Sequence, residues 1–402
     1  MAERPQAEQH PRLILHNFLS PELCKELEFI HKSNCTVGYR PNVFSTTLSH
    51  LIATNSSHLI MPFVPIREKL KEKVEEYFGC QYELVIEFTG LISWTKGSSI
   101  GWHSDDNRPY LKQRDFAVVC YLNSYDEDFR GGIFHFQDGE PSSIVPMAGD
   151  VVMYTADTRN IHSVDEIMEG ERITLTLWFS RDVSHDEDAK LISVLSQYSL
   201  DSYLPEPASN NMYWFPPDGA LKLQSGFDIR CARLHMLGLD LYSSHRRIFS
   251  PGVNSSYNLL ELLMRSLQLA WEDELFDQEF VNIQHVLQVV QFYCWKWSTL
   301  ETMDRSEVSS HIKSLSQAQQ EDITCLKLVV LQDLPVAETF IKSLNCANKL
   351  QYIFNCASFS AAVVEWETYS SRLHKELIVT LPLWRKHESI FPCPSDDFAE
   401  TM

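Results

Sequence analysis

Residues 172–179 read "RITLTLWF". A strand turns successive side chains to opposite faces. Ile173, Leu175, Leu177 and Phe179 therefore share one face, and Arg172, Thr174, Thr176 and Trp178 the other. The aliphatic face packs on a core. The second face carries a full positive charge, two hydroxyls and an indole N–H, in a segment too apolar to lie on a surface. A chain holding such a strand must bury it on both sides. The guanidinium must then meet an anion, because its desolvation is otherwise very costly.

The surroundings fit a two-sided β architecture. From 82 to 182 the chain is a series of short strands, "YELVIEFTGLISW", "FAVVCYLNS", "GGIFHFQDGE", "SSIVPMAGDVVMYT" and the segment above, punctuated by Gly131-Gly132, Asp138-Gly139 and Gly149-Asp150. Strands at this spacing predict an antiparallel sandwich or barrel flanked by helices. Ahead of them, "LILHNFLSPELCKELEFIHK" predicts a helix capped by Ser20, with Pro21 at its first position, Glu22 in its first turn, and Leu23, Leu27 and Ile30 on one face. A second, highly charged helix is expected over 64–78. "SHDED" at 184–188 reads as a solvated acidic run, and "LPEPASNNMYWFPPDG" as a linker or long loop. Beyond it the periodicity is helical, with Leu260, Leu263, Leu267 and Trp271 in one stretch and Val286, Val289, Val290 and Tyr293 in the next. Further helices are expected at about 305–350 and 357–378. The expected division is a helical support at 1–80, a barrel at 81–190, a linker at 191–218 and a helical region at 219–402.

Charge narrows the partners. Thirty-four Lys plus Arg against 54 Asp plus Glu leave a formal −20, which repels phosphate backbones and argues against general nucleic-acid binding. No apolar run reaches the roughly 18 residues a membrane helix needs, and the first residues lack a signal-peptide pattern. The ten cysteines include no C-x-x-C pair. Reduced, mostly buried thiols in a cytoplasmic or nuclear protein are the expectation.

"GWHSDD" sets His103 and Asp105 two residues apart, on one face of a strand or its end. An imidazole and a carboxylate there suit two adjacent corners of a metal, although the pair alone is as readily a surface His beside an acidic turn. His162 follows 57 residues after Asp105, and Arg172 ten residues later. Two His and one carboxylate form the facial set that holds iron(II) with three positions open. Three open positions suit a bidentate 2-oxo acid plus dioxygen. The far carboxylate of that acid needs a planar cation, and Arg172 supplies one.

These residues carry a resemblance. "WTKGSSIGWHSD", "RDFAVVCYLN", "DFRGGIFHF", "MAGDVVMYT" and "IHSVDEIMEGERITLTLWFSRD", together spanning 94–182, resemble the iron(II)- and 2-oxoglutarate-dependent dioxygenase domain of the prolyl/lysyl hydroxylases, nearest to the prolyl 3-hydroxylase branch. The whole amino-terminal half resembles plant hydroxylases of that domain type. The resemblance implies an α+β fold, a double-stranded β-helix (jelly-roll) barrel with flanking helices, here followed by a mainly α-helical C-terminal region. It implies His103, Asp105 and His162 as iron ligands, and Arg172 as the anchor of 2-oxoglutarate. Tyr121 is implied as a hydrogen-bond partner of the same carboxylate, Thr174 and Thr176 as lining of the cosubstrate side, and Trp178 as an aromatic near the metal. The implied reaction hydroxylates a protein or peptide side chain, prolyl before lysyl, releasing succinate and CO2, with L-ascorbate (vitamin C) keeping the iron reduced. The chain departs from the pattern at Trp94, where a Tyr is usual, at Ile100, and at Ile133-Phe134, which replace Glu-Thr. These changes bear on the substrate pocket more than on the iron.

Other candidates have plainer readings. His135, between aromatics, reads as a packed strand residue rather than a fourth ligand, and Asp106 as a solvated or turn-capping acid on the other face. Trp102 either shapes the pocket or merely packs. The bland partner for Arg172 is Glu169 or Glu171. Two other functions compete: a non-catalytic binding module whose C-terminal helices recruit a partner or self-associate, and an AlkB-type nucleic-acid demethylase. The second wants an Arg at 178, where this chain has Trp.

Overall fold

The computed structural model describes residues 9–37, 42–53, 56–79, 84–197, 288, 291–292, 295–296 and 356–391. Its strands are β1 (Arg12–Leu15), β2 (Thr36–Val37), β3 (Val43–Thr47), β4 (Val85–Thr95), β5 (Ile100–His103), β6 (Phe116–Tyr121), β7 (Phe129–Gly131), β8 (Phe134–Phe136), β9 (Ser143–Ile144), β10 (Val151–Thr155), β11 (His162–Val164) and β12 (Ile167–Ser180). The helices are α1 (Pro21–Asn34), α2 (Leu48–Ala53), α3 (Val64–Phe78), α4 (Glu187–Gln197) and α5 (Cys356–His387). The larger sheet runs β1-β10-β6-β12-β4-β3, with β7 also pairing β12; the smaller runs β5-β11-β8-β9. The runs β10-β6-β12-β4 and β9-β8-β11-β5 are the two four-stranded sheets of a jelly roll, filled by a chain that crosses repeatedly between them.

The two-faced strand sits at the middle of this arrangement. β12 pairs antiparallel with β4 and with β6, setting Arg172 opposite Trp94, Thr174 opposite Ile92 and Tyr121, and Thr176 opposite Gly90 and Val119. Ile92, Trp94, Val119 and Tyr121 belong to one buried cluster fed by both sheets, which also holds Val152, Tyr154, Phe134, Phe136 and Val164. The alternate residues Ile173, Leu175, Leu177 and Phe179 are buried too, each worth roughly 1.5–3 kcal/mol relative to exposure. On that side Arg67 of α3 reaches Thr89 of β4, and Glu187 of α4 accepts from the Thr89 amide. Both faces of β12 are therefore buried, one in the barrel interior and the other under helices.

Several expectations fit at the level of elements. Ser20 Oγ accepts the Leu23 amide at the start of α1, and α3 spans the expected 64–78. Within this charged helix Arg67 is fully buried. The acidic run needs correction: Glu187 and Asp188 are buried and open α4, because Arg67 draws both carboxylates inward. Residues 191–197, expected in the linker, are helical.

Two compact units divide the chain. One comprises Met1–Glu28, Gly38–Tyr203 and Leu373–Met402, so the far end of α5 belongs to the barrel unit rather than to a region beginning at 219. There the Ile390 amide and Ser389 hydroxyl donate to Asp188, and Thr380 meets Met61. The other comprises Phe29–Val37 and Leu204–Arg372. Its described part centres on Phe29, Phe292, Trp295 and Tyr369, with Phe29 and Trp295 stacked at 5.5 Å. The helices expected near 257–277 and 305–350 lie outside the described residues. No helix among those described is long and apolar enough to cross a membrane.

Candidate metal centre

His103 ends β5 and His162 begins β11, and the two are direct cross-strand partners. In an antiparallel ladder, facing residues project to the same side, and their ring centroids lie 4.2 Å apart. Asp105 follows His103 past the strand's end, in a turn pinned by the Asp106 amide on the Ala156 carbonyl. One ligand atom each from His103, Asp105 and His162 all fall within 4.8 Å of one another. Asp105 Oδ1 is 4.0 Å from the Nε2 of both imidazoles. That separation is too long for hydrogen bonds and suits three groups sharing a cation.

The imidazoles are oriented by the backbone. His103 Nδ1 lies 2.9 Å from the Gly101 carbonyl and His162 Nδ1 3.0 Å from that of Asn160. Each Nδ1 therefore carries the proton, leaving both Nε2 lone pairs facing the cluster. Asn160 is itself held by the Pro11 carbonyl and the Thr155 hydroxyl. Phe134 stacks on the His162 ring at 4.9 Å and 11°. Burial holds the His162 imidazole below its usual range, against the opposing pull of Asp105, so it stays neutral, as a metal ligand must.

Arg172 reaches the same interior from the larger sheet. It is 3% exposed, and among the described residues it has no ion pair: Glu169 lies beside Arg130 instead. Its guanidinium sits 5.2 Å from the Tyr121 ring and 5.8 Å from that of Trp94. Arg172 Nε and Tyr121 Oη are both buried without a hydrogen-bond partner. Burial pushes the Tyr121 phenol up, against the nearby guanidinium, so it remains a donor. A buried cation and a buried phenol with unused donors can together receive an anionic group.

The other expected residues divide. Thr174 is buried, its hydroxyl donating to the Ile92 carbonyl at 3.3 Å; Thr176 is buried opposite Gly90. Trp178 packs beside Phe88, with the Arg114 guanidinium 3.9 Å from its ring. His135 is not part of the cluster, but it is half-exposed on Asp165 rather than packed among aromatics. Asp106 is buried, not solvated, and accepts from Ser104 and Lys112. Trp102 is 56% exposed, so it does not pack. One contact has no counterpart in the sequence reading: the Tyr154 hydroxyl donates to Asp105 Oδ2 at 3.0 Å and lies 3.4 Å from His162 Nε2. The available signal was the alternation in "VVMYT", which puts Tyr154 on the face of Val152. Burial, then Asp105, push its phenol well above the usual range.

Residues 89–180 match the family model described as the 2OG-Fe(II) oxygenase superfamily. The chain is 25% identical over 220 residues to prolyl 3-hydroxylase 1 of Gallus gallus, across 44% of this chain and 30% of that protein. It is 33% identical over 128 residues to 2-oxoglutarate and iron-dependent oxygenase domain-containing protein 3 of Homo sapiens, across 30% of this chain and 40% of that protein. A prolyl-4-hydroxylase structure from Pseudomonas putida is similar at a TM-score of 0.36 and 16% identity, across 44% of this chain and 96% of that one. The match thus spans less than half the length of these two curated relatives.

Proposed function

We propose that this chain, whose residues 89–180 match the 2OG-Fe(II) oxygenase superfamily, is an iron(II)- and 2-oxoglutarate-dependent dioxygenase that hydroxylates a protein side chain. The carrying observations are the His103–Asp105–His162 triad and, in the same barrel, a buried Arg172 with no ion pair among the described residues. In this reading His103 Nε2, Asp105 Oδ1 and His162 Nε2 hold the iron. Arg172 grips the far carboxylate of 2-oxoglutarate through charge-assisted hydrogen bonds, and Tyr121 adds a third donor. Thr174 and Thr176 line the wall beneath. Phe134, Phe136 and Trp94 keep water from the interior. Bound iron supplies dioxygen activation coupled to oxidative decarboxylation of 2-oxoglutarate to succinate and CO2, with ascorbate as the reductant that restores the ferrous state.

Prolyl residues are the proposed target, on the strength of relatives named prolyl 3-hydroxylase. A protein of the cytoplasm or nucleus suits the buried free thiols of Cys24, Cys35 and Cys120. The test is succinate release from 2-oxoglutarate in the presence of ferrous iron, oxygen and candidate prolyl peptides. Mass spectrometry then looks for one added oxygen on proteins from cells carrying the natural chain or His162→Ala. Succinate formation that His162→Ala abolishes is expected. Turnover undiminished in that variant, or no 2-oxoglutarate consumption by the natural chain under any of these conditions, defeats the reading.

A further inference from the structure

The smaller sheet fixes His103 and His162 by cross-strand pairing, but nothing equivalent fixes Asp105. It stands in a turn beyond β5, where the ladder has ended, and a carboxylate on such a turn is free to rotate or to offer both oxygens. The neighbouring Asp106 is held by its own partners, Ser104 at 2.7 Å and Lys112 at 2.6 Å. Asp105 has a single one: among the described residues, only the Tyr154 hydroxyl donates to its side chain.

We propose that Tyr154 is a positioning residue for the metal, holding Asp105 by Oδ2 so that Oδ1 alone faces the ion. The inference rests on the iron reading above. A phenol has one proton to give and an ionised carboxylate can only accept, so the bond has one polarity. It engages Oδ2, while the oxygen left over, Oδ1, is the one 4.0 Å from both imidazole Nε2 atoms. Tyr154 comes from β10 of the larger sheet, where it pairs with Ala117 and Arg12. Its ring is clamped by Phe136 at 5.5 Å and His162 at 5.0 Å. One sheet therefore carries the ligands, and the opposite sheet sets the angle of the ligand that its own strands leave loose. Partners of this kind are worth about 10–100-fold in metal affinity.

Tyr154→Phe removes the oxygen and keeps the ring. The metal-free natural chain, Tyr154→Phe and the control Tyr77→Phe, which loses a hydroxyl donated to the Arg12 carbonyl, are titrated with Co(II), and their melting is compared without metal. The expected result is Co(II) binding about 10–100-fold weaker in Tyr154→Phe alone, with shifted ligand-field bands and a metal-free chain that still melts cooperatively. Affinity within twofold of the natural chain and identical bands overturn the positioning role while leaving the metal centre standing. No Co(II) uptake by the natural chain takes down the metal centre and this proposal with it. A measurement on the unaltered protein does not depend on the variant's folding: loaded with ferric iron, it should show no phenolate charge-transfer band. Such a band, if Tyr154→Phe removes it, would make Tyr154 a ligand and the proposal wrong.

Discussion

Arg67 and Arg172 are both buried within the barrel unit, at 0% and 3% exposure, on opposite sides of the larger sheet. Arg67 is closed by protein. Its Nη2 reaches Glu187 Oε2 at 3.0 Å and Asp188 Oδ1 at 2.6 Å, and its Nε reaches Thr89; only Nη1 is without a hydrogen bond. Arg172 has aromatic rings beside it and no carboxylate among the described residues. A buried cation paired within the chain holds elements together. One without an ion pair, in the same barrel as three groups that could hold a metal, is what the proposed function uses to grip a diacid. Burial alone does not separate these cases; the partner list does.

The largest effect that tests this contrast is on stability. Arg67→Met leaves two buried carboxylates without their cation and should cost about 3–5 kcal/mol in urea unfolding, with 2-oxoglutarate affinity of the folded fraction unchanged. A loss below about 1 kcal/mol would mean that Arg67 is not the clasp described here. Arg172→Met should do the reverse. It removes a charge that the ligand-free protein leaves unpaired, so metal-free melting stays level or rises. Truncating one member of a buried charged pair costs at least about 2 kcal/mol, so 2-oxoglutarate binding should weaken by roughly 30-fold or more, read by calorimetry with Mn(II) present. Destabilisation as large as that of Arg67→Met would erase the distinction.

Gly132 offers a smaller probe. Its φ is +65°, and a Cβ there would stand 2.4 Å from Ile167 Cδ1 and 3.1 Å from Arg172 Cδ. Gly132→Ala should cost about 1–3 kcal/mol of backbone strain and raise the KM for 2-oxoglutarate by displacing the guanidinium. An unchanged KM would show that the stem of Arg172 has room to move.

A last test, gradual rather than all-or-none, is a pH dependence on the Arg67 side. Burial pushes the Glu187 carboxyl up from 4.5 to about 7, against the pull of Arg67. Between those values the folded chain holds a proton that the unfolded chain releases. This group's contribution is therefore full below about 4.5 and is lost as pH rises through about 7. The stability of the natural chain minus that of Glu187→Gln should fall between pH 5 and pH 8 in paired urea titrations. A rise would mean that attraction to Arg67 outweighs the cost of burial.

The alternation of 172–179, the H-x-D at 103–105 and the position of His162 were readable in the sequence because each is local. Strand geometry dictates which face a residue takes, and short motifs carry their own spacing. So were α1 and α3, through the Ser20 cap and the charge pattern of 64–78. Other features came from pairing across long stretches of chain. Glu187 and Asp188 looked like a solvated run because Arg67, about 120 residues earlier, is invisible to a local reading. Tyr154 likewise carried no signal that it meets an acid 49 residues away.

The sequence by itself determined which side chains carry metal-ligating or cationic groups and which face of its strand each takes, since that follows from side-chain chemistry and period-two geometry. The tertiary structure decided which charges are already spent. Whether a buried ion is paired depends on what the sheets and helices bring within hydrogen-bond reach, and a short-range interaction between residues far apart in the chain leaves no trace in their local pattern.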